Sequence, residues 1–515
     1  MKKYIGFIII LLWSFLIFFP SFNLKFLLID DGQIVMNSRK VITAIRNQKA
    51  DDLLKIVLEP NEGRVRPAYW ISQAIVFSAG QYNVTALHVF RYLFLILTLL
   101  YLYLIMKRFN VDGHWIFVTS LLFVTNFQNF ENFYRLGPTE VYLGIFYLII
   151  LYYLIRKNTN IFDGILVFLA TLLGVFTKES FFLIFLPLSF VLFLKNLNLS
   201  IKIKSLFLMA MLFVFGISVF AIRSSYGEVQ GYALHYVLNF GDLVSRLGQY
   251  LTQINHYQYP LLLISFVYLI YWLFKNYDRL FSKLELSEVF YLILWAEAVV
   301  QLVILLPWVF VLGRYLILVN ISLSIVYAIT LNMIWNEIKL KSKYNFEIKI
   351  LAVILLSAFF MVRNYFPVAN YQLWQKTDSD LTNSLIKSLS ALPNGSTVFV
   401  NYIKGDSNIE IFLETKWHLE EFYNRSDIKF VYIDESNLCT KDKRYVLDRT
   451  SDRFIKKDKL NYKVLSKISD GSYIYSPLNY GAVLKSFVSR VKQDAWKNNY
   501  DFDWTIYEQS SKSCL

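Results

Sequence analysis

Leu27-Leu28-Ile29-Asp30-Asp31-Gly32-Gln33 is where the first hydrophobic run of the chain meets an acidic pair. Upstream, Tyr4 to Phe26 is almost wholly apolar and long enough to cross a bilayer. Downstream, a polar and partly amphipathic loop does not return to the membrane until about Val84. Two adjacent carboxylates at the mouth of a span sit where water meets hydrocarbon. Desolvation and mutual repulsion there disfavour the doubly charged state and suit one of them to act as a base. The same pair would also serve simply to stop the helix and mark the interface. The rest of the chain has to decide between the two.

Composition excludes several classes at once. Of 515 residues 56% are hydrophobic and 17% charged, and the mean hydropathy is +0.43. A soluble protein of this size carries more charge, so the chain reads as a polytopic membrane protein. The 52 Lys and Arg against 38 Asp and Glu give +14. That excess resembles a nucleic-acid signal until the basic residues are placed. They fall mostly in short loops on alternate sides of the apolar runs, which is topology information, and no nucleic-acid partner is expected. Cys439 and Cys514 are the only cysteines, too few for a zinc cluster or an iron–sulfur site. Lys2-Lys3 opens like a signal peptide, but the run behind it is too long and lacks a small-residue cleavage site. It reads as a retained anchor.

Windows of about twenty apolar residues give a helical bundle of about 11 transmembrane helices. They lie near 4–28, 84–106, 113–128, 138–155, 161–177, 180–194, 205–222, 258–274, 287–306, 314–335 and 348–366. Lys107-Arg108, Arg156-Lys157, Lys195 with Lys202 and Lys204, Lys275 with Arg279 and Lys283, and the Lys339-to-Lys349 cluster share one side with Lys2-Lys3. Taking that side as cytoplasmic puts the N-terminus inside and everything after Phe366 outside.

The outer segments then hold nearly all the ionisable residues near the membrane. In the first loop, residues 30–83, Gln33 to Ile45 carries a helical apolar stripe suited to a helix on the interface. Gly63-Arg64-Val65-Arg66-Pro67-Ala68-Tyr69-Trp70 follows, its paired arginines fit for phosphate or for anionic lipid headgroups. The turn Asn129 to Glu140 packs Glu131, Arg135 and Glu140 around Gly137-Pro138. Thr177-Lys178-Glu179 puts charge between two apolar spans, where it normally has a partner or a task. The loop Arg223 to Tyr257, rich in Tyr, Gln and Asn, suits a polyhydroxylated ligand; His235 and His256 in it are weak evidence for metal. Glu297 and Gln301 share one helical face inside the ninth span, and Arg314 at the outer end of the tenth reaches either a phosphate or headgroups.

From about Ala369 the composition changes. Ser396 to Tyr402, Lys429 to Asp434 and Tyr473 to Tyr475 read as strands, Asp380 to Leu392 and Leu484 to Trp496 as helices. The chain thus divides into a transmembrane domain, 1–368, and an extracytoplasmic α/β domain, 369–515, where the oxidising side leaves it open whether Cys439 and Cys514 form a disulfide. No nucleotide-binding glycine fingerprint is present. An outward cavity with a carboxylate base and cationic phosphate clamps, and no soluble nucleotide site, suggests transfer from a lipid-linked phosphosugar.

With these residues in view, the sequence resembles the GT-C superfamily of integral-membrane glycosyltransferases, which includes protein O-mannosyltransferases and lipid A aminoarabinose transferases. The matching features are Asp30-Asp31 after the first span, Arg66-Pro67, Arg135-Leu136-Gly137-Pro138-Thr139-Glu140, Thr177-Lys178-Glu179 and the outer soluble domain. Order, spacing and shared sidedness carry the resemblance over residues 1–335. It implies a polyprenyl-phosphate sugar donor, inversion at the anomeric centre, work on the outer face, and a catalytic base at Asp30 or Asp31. It leaves open whether a divalent metal takes part, and whether the acceptor is a lipid, a glycan or a protein. Charge and depth add Glu131, Glu140 and Glu179 as orienting groups, Arg66, Arg135, Lys178 and Arg314 as phosphate ligands, and Glu297 as a further substrate contact. A transporter or flippase of lipid-linked precursors is the main rival, although no paired broken spans are visible in the sequence. A receptor would leave Glu297 and the charged turns without a task.

Overall fold

The computed structural model describes residues 5–26, 31–58, 65–80, 83–156, 160–193, 199–225, 239–279, 284–307, 312–338, 345–400, 408–432, 444–449, 462–468 and 504–509. Asp30, Arg64, His235, Cys439, Cys514, Tyr473 to Tyr475 and Leu484 to Trp496 lie outside them. The described chain forms two compact units. One comprises residues 1–19, 43–76 and 88–368, the other 20–42, 77–87 and 369–515.

The first unit is all helix. Among the described residues five helices are long and apolar enough to cross a membrane: Ile5–Asn23, Val84–Arg108, Leu199–Ile222, Leu286–Leu305 and Gly313–Ile338. A sixth results if Phe240–Gln258 and Leu261–Lys275, bent by 106° at their junction, are one broken span. Shorter apolar helices Gly113–Thr125, Glu140–Leu154, Ile161–Thr177 and Glu179–Phe193 stand where four further spans are expected. This is a multi-pass helical membrane protein.

Side-chain caps start several helices where the sequence offers them. Asp112 accepts the His114 N–H at 3.0 Å ahead of Gly113–Thr125, and Asn126 accepts the Gln128 N–H at 3.0 Å ahead of Phe127–Tyr134. Asn160 with Asp163, and Glu285 with Glu288, close reciprocal capping boxes. Gly313–Ile338 is central, with 83% of its apolar window buried against 22% for Ile5–Asn23. It packs on Gly113–Thr125, Glu140–Leu154 and Leu286–Leu305. Gly144 lets helix Glu140–Leu154 come close, since a Cβ there would stand 3.0 Å from Ile321 Cδ1.

Polar side chains join the packed helices. Asn320 Nδ2 donates to Gln128 Oε1 at 3.1 Å and to Asn129 Oδ1 at 2.8 Å. Gln258 Nε2 donates to Asn320 Oδ1 at 2.5 Å, and Tyr327 OH to Gln258 Oε1 at 2.7 Å. All five residues are buried. In a bundle whose surroundings are as apolar as its core, such bonds specify which helix faces meet.

The second unit holds a five-stranded sheet in the order β2-β1-β3-β5-β4: β1 Thr397–Val400, β2 Lys429–Tyr432, β3 Arg444–Arg449, β4 Tyr462–Ile468 and β5 Trp504–Gln509. β1 pairs parallel with β2 and β3, while β5 runs antiparallel between β3 and β4. Leu385, Leu389, Val398, Leu419, Leu447 and Ile506 are among its core, which joins the end of helix Asn345–Ser390 and helix Asn408–Tyr423 to one face. The expected strands at Ser396 and Lys429 correspond to β1 and β2. β3 to β5 escaped sequence reading because each is short and interrupted by charge. Residues 20–42 fasten to this unit through Arg39–Glu421 at 2.5 Å and Phe26 stacked on Phe422 at 5.0 Å.

Candidate functional site

Three turns of the first unit converge. The first links Gly113–Thr125 to Glu140–Leu154. Helix Phe127–Tyr134 ends at Arg135, whose extended backbone leads through Leu136-Gly137-Pro138 into Glu140. Four donors grip the carbonyls of this turn. Tyr69 OH donates to Gly137 O at 2.8 Å and Gln73 Nε2 to Leu136 O at 3.3 Å, both from helix Pro67–Ala79. Arg91, buried inside Val84–Arg108, donates to Pro138 O at 3.0 Å and also to Leu136 O. An arginine inside a span is costly unless fully partnered, and these two carbonyls partner it.

The second turn presents Lys178 in extended backbone between Ile161–Thr177 and the 3₁₀ turn Glu179–Ile184. Its Nζ donates to Glu140 Oε1 at 2.8 Å and lies 4.6 Å from the centre of the Tyr315 ring. The lysine therefore pairs with a carboxylate 38 residues away and not with its neighbour Glu179. The third turn, Gly313–Leu316, is fixed by Asn132 Nδ2, which donates to Arg314 O at 2.8 Å. The Arg314 guanidinium lies 5.7 Å from the Tyr315 ring and acts electrostatically on Glu140.

The charge count follows. Glu140 is 5% exposed and faces two cations, Lys178 and Arg314. Cations set about a buried carboxylate in this way are groups of the kind that bind phosphate oxygens. Arg135 and Glu131 form a separate pair, 3.7 Å apart on the adjoining short helix, and cancel each other.

The structure thus gathers Glu140, Lys178 and Arg314, with Glu131 and Arg135 on the helix that feeds their turn. Arg66 directly precedes helix Pro67–Ala79, half-buried, with its Nε bonded to nothing among the described residues. Glu179 opens its 3₁₀ turn. Glu297 lies elsewhere, inside the bundle beside Tyr147, which is two helical turns or about 10 Å along the helix from Glu140. Both its carboxylate oxygens and Gln301 Nε2 lack a partner among the described residues. Asp31 begins helix Asp31–Arg46. Among the described residues no three His, Cys, Asp or Glu side chains stand close enough together to hold a metal ion.

Sequence reading missed Arg91, Tyr315 and Asn132. Arg91 had a signal, a lone arginine in an apolar run. Tyr315 and Asn132 act through a ring face and a backbone carbonyl respectively, and nothing local marks either. The segment read as part of an open loop, 240–257, is instead most of helix Phe240–Gln258. Its Gln, Asn and Tyr content hid the apolar spacing of Leu243, Leu247, Tyr250 and Ile254.

No family model matches the chain, and no curated protein matches it in sequence. Solved structures do match in fold. ArnT from Cupriavidus metallidurans, in its apo state, superposes over 89% of this chain and 95% of its own with a TM-score of 0.54 at 10% identity. The oligosaccharyltransferase AglB from Archaeoglobus fulgidus, bound to an inhibitory peptide and a dolichol-phosphate, is similar at a TM-score of 0.49 and 11% identity, over 82% of this chain and 64% of that one. The ArnT likeness shows the fold, which this chain shares with ArnT.

Proposed function

We propose that the protein is a membrane glycosyltransferase that moves a sugar from a polyprenyl-phosphate donor to an acceptor hydroxyl on the outer face of the membrane. The clustering of Lys178 and Arg314 about the buried Glu140 carries this reading. ArnT has the same fold, and the structure of AglB was solved with a dolichol-phosphate. The N-terminus is cytoplasmic and the domain from 369 onward extracytoplasmic.

Asp30 or Asp31 takes the proton of the acceptor hydroxyl, and the freed oxygen attacks the anomeric carbon from the face opposite the phosphate. The carbon–oxygen bond to phosphate breaks with inversion, and its electron pair leaves on polyprenyl phosphate. Lys178 and Arg314 hold that phosphate as its charge grows, with Arg66 and Arg135 beside the same turn. Glu140 fixes the Lys178 ammonium in place, and Glu131 and Glu179 orient hydroxyls at the rim. Glu297 contacts substrate only if the donor reaches the bundle interior. The described residues supply no metal-ligand set, and no step here is routed through a metal.

Release of polyprenyl phosphate from a panel of lipid-linked sugars, by wild type, Asp30→Asn and Asp31→Asn in liposomes, tests this. One aspartate variant should lose about 10²- to 10⁴-fold in rate, the usual contribution of a general base. Equal turnover by all three removes the acidic pair from the mechanism. Transport is the second reading, and the 106° bend between Phe240–Gln258 and Leu261–Lys275 favours it, because broken helices line the sites of many transporters. A transporter would move labelled donor across the bilayer without consuming it.

A further inference from the structure

A cavity of about 740 Å³ opens in the first unit between the start of helix Ile5–Phe18 and the start of helix Gly113–Thr125. That is within the roughly 300–1,000 Å³ of ligand sites. Its walls are apolar, formed chiefly by Ile9, Ile10, Ile116 and Phe117. Gly6 lies in its wall facing Phe117, where a Cβ would make ordinary contact with the ring at 3.5 Å and a longer side chain would enter the space. Both flanking helices are apolar, so the walls belong to the hydrocarbon.

Lys107, Asp112 and His114 are polar groups of its lining. Asp112 is spent: Lys349 Nζ donates to one of its oxygens at 2.6 Å, and the His114 ring and N–H meet the other at 2.7 and 3.0 Å. Lys349 is in turn boxed by the Trp115 and Trp335 rings at 5.8 and 5.7 Å. Lys107 differs. It ends the apolar helix Val84–Arg108, is exposed, and has no ion-pair partner among the described residues. Its Nζ rests 5.9 Å from the Tyr103 ring and would be 3.8 Å from a Cβ placed on Gly113, which opens the next helix. An ammonium with no ion-pair partner among the described residues thus stands at the edge of an apolar slot at the end of a span.

We propose that this cavity is a site for one anionic glycerophospholipid, with an acyl chain between Ile9, Ile10 and Phe117 and the headgroup phosphate on Lys107. Charge selects the occupant: a zwitterionic lipid brings its own cation to the phosphate and gains less from the lysine. The site lies outside the Glu140–Lys178–Arg314 cluster and does not rest on the glycosyltransferase reading.

The test is native mass spectrometry of the full chain in detergent with equal amounts of phosphatidylglycerol and phosphatidylcholine. Wild type should retain one phosphatidylglycerol in preference to phosphatidylcholine. Lys107→Gln should lower that preference about fivefold, equivalent to about 1 kcal/mol for one lysine at an anionic lipid surface, and Lys107→Arg should keep it. Gly6→Leu, which fills the slot, should remove the bound lipid whatever its headgroup. The proposal is overturned if Lys107→Gln keeps the wild-type preference, or if Gly6→Leu leaves the count of retained lipid unchanged. Either result would place the lipid on the general basic surface.

Discussion

Two lysines of the helical unit make the same kind of contact for different ends. Lys178 donates to Glu140 at 2.8 Å under the Tyr315 ring, and Lys349 donates to Asp112 at 2.6 Å between two tryptophans. Their surroundings separate them. The Glu140 side chain is 6% exposed and faces a second cation, Arg314. The Asp112 side chain is 38% exposed and is met by His114 as well. The first pair is dry and has a second cation beside it; the second is wet at one edge and closes on itself with His114. An aromatic-roofed lysine–carboxylate pair is therefore not a functional sign in itself. The second cation beside the pair, and the water excluded around it, distinguish the two.

The largest effect should come from breaking the dry pair. Lys178→Met leaves the Glu140 carboxylate buried with only Arg314 to answer it. Removing one partner of a buried pair costs about 3–5 kcal/mol, and Arg314 should keep the loss toward the lower end. Thermal unfolding in detergent measures it. Adding Glu140→Gln to Lys178→Met should restore most of the stability, because no orphaned charge remains. Donor consumption should stay lost in the double variant if Lys178 holds phosphate. A double variant with wild-type turnover would demote the pair to a structural clamp like its counterpart at Asp112.

The wet pair should be weaker and should report itself through pH. Burial pushes the Asp112 carboxyl up, but Lys349 and the His114 N–H and ring outweigh this and hold it well below the ordinary carboxylate range. A carboxyl depressed on folding adds stability above its unfolded value of about 3.9, and that stability is lost as pH falls below it toward the folded value. Asp112→Asn should therefore cost stability at neutral pH, about 1 kcal/mol or less because the group is more than a third exposed. The gap to wild type should narrow between about pH 4 and pH 2. A gap that widens in acid would mean that the aspartate does not carry the negative charge assigned to it.

Much of the fold was legible because hydrocarbon demands long apolar runs. Helix Gly113–Thr125 and its neighbours at Glu140 and Ile161 lie close to where apolar windows put them. Helix Phe240–Gln258 was not legible, because a helix with Tyr, Gln and Asn on one face looks in composition like a loop. The site was legible in part. Glu140, Lys178 and Arg314 stood out as charges too close to hydrocarbon to be idle, yet their assembly depends on three turns that only tertiary packing brings together. Arg135 stood out for the same reason, and its Glu131 partner four residues earlier was readable from helical spacing alone. The charge at Thr177-Lys178-Glu179 called for a partner without naming one, and the extended backbone at Lys178 lets its side chain reach Glu140.

The smallest predicted effect concerns the uncharged contacts that join the same helices. Tyr327 OH donates at 2.7 Å to Gln258 Oε1, and Gln258 Nε2 donates in turn to Asn320. Tyr327→Phe deletes a single hydroxyl from a fully buried ring without changing its shape. Side-chain hydrogen bonds inside membrane bundles average about 0.6 kcal/mol, because the unfolded helices also find partners. Gln258 keeps its bond to Asn320, so the network should relax without coming apart. The loss should stay near that average in an equilibrium unfolding titration in mixed micelles, with donor consumption unchanged. A loss above about 2 kcal/mol, beyond the range of single bonds of this kind, would mean that Gln128, Asn129, Gln258, Asn320 and Tyr327 act as one cooperative unit. The neutral network, more than either lysine pair, would then be what holds the Gln128 end of helix Phe127–Tyr134, and with it Asn132 and the Arg314 turn, in position.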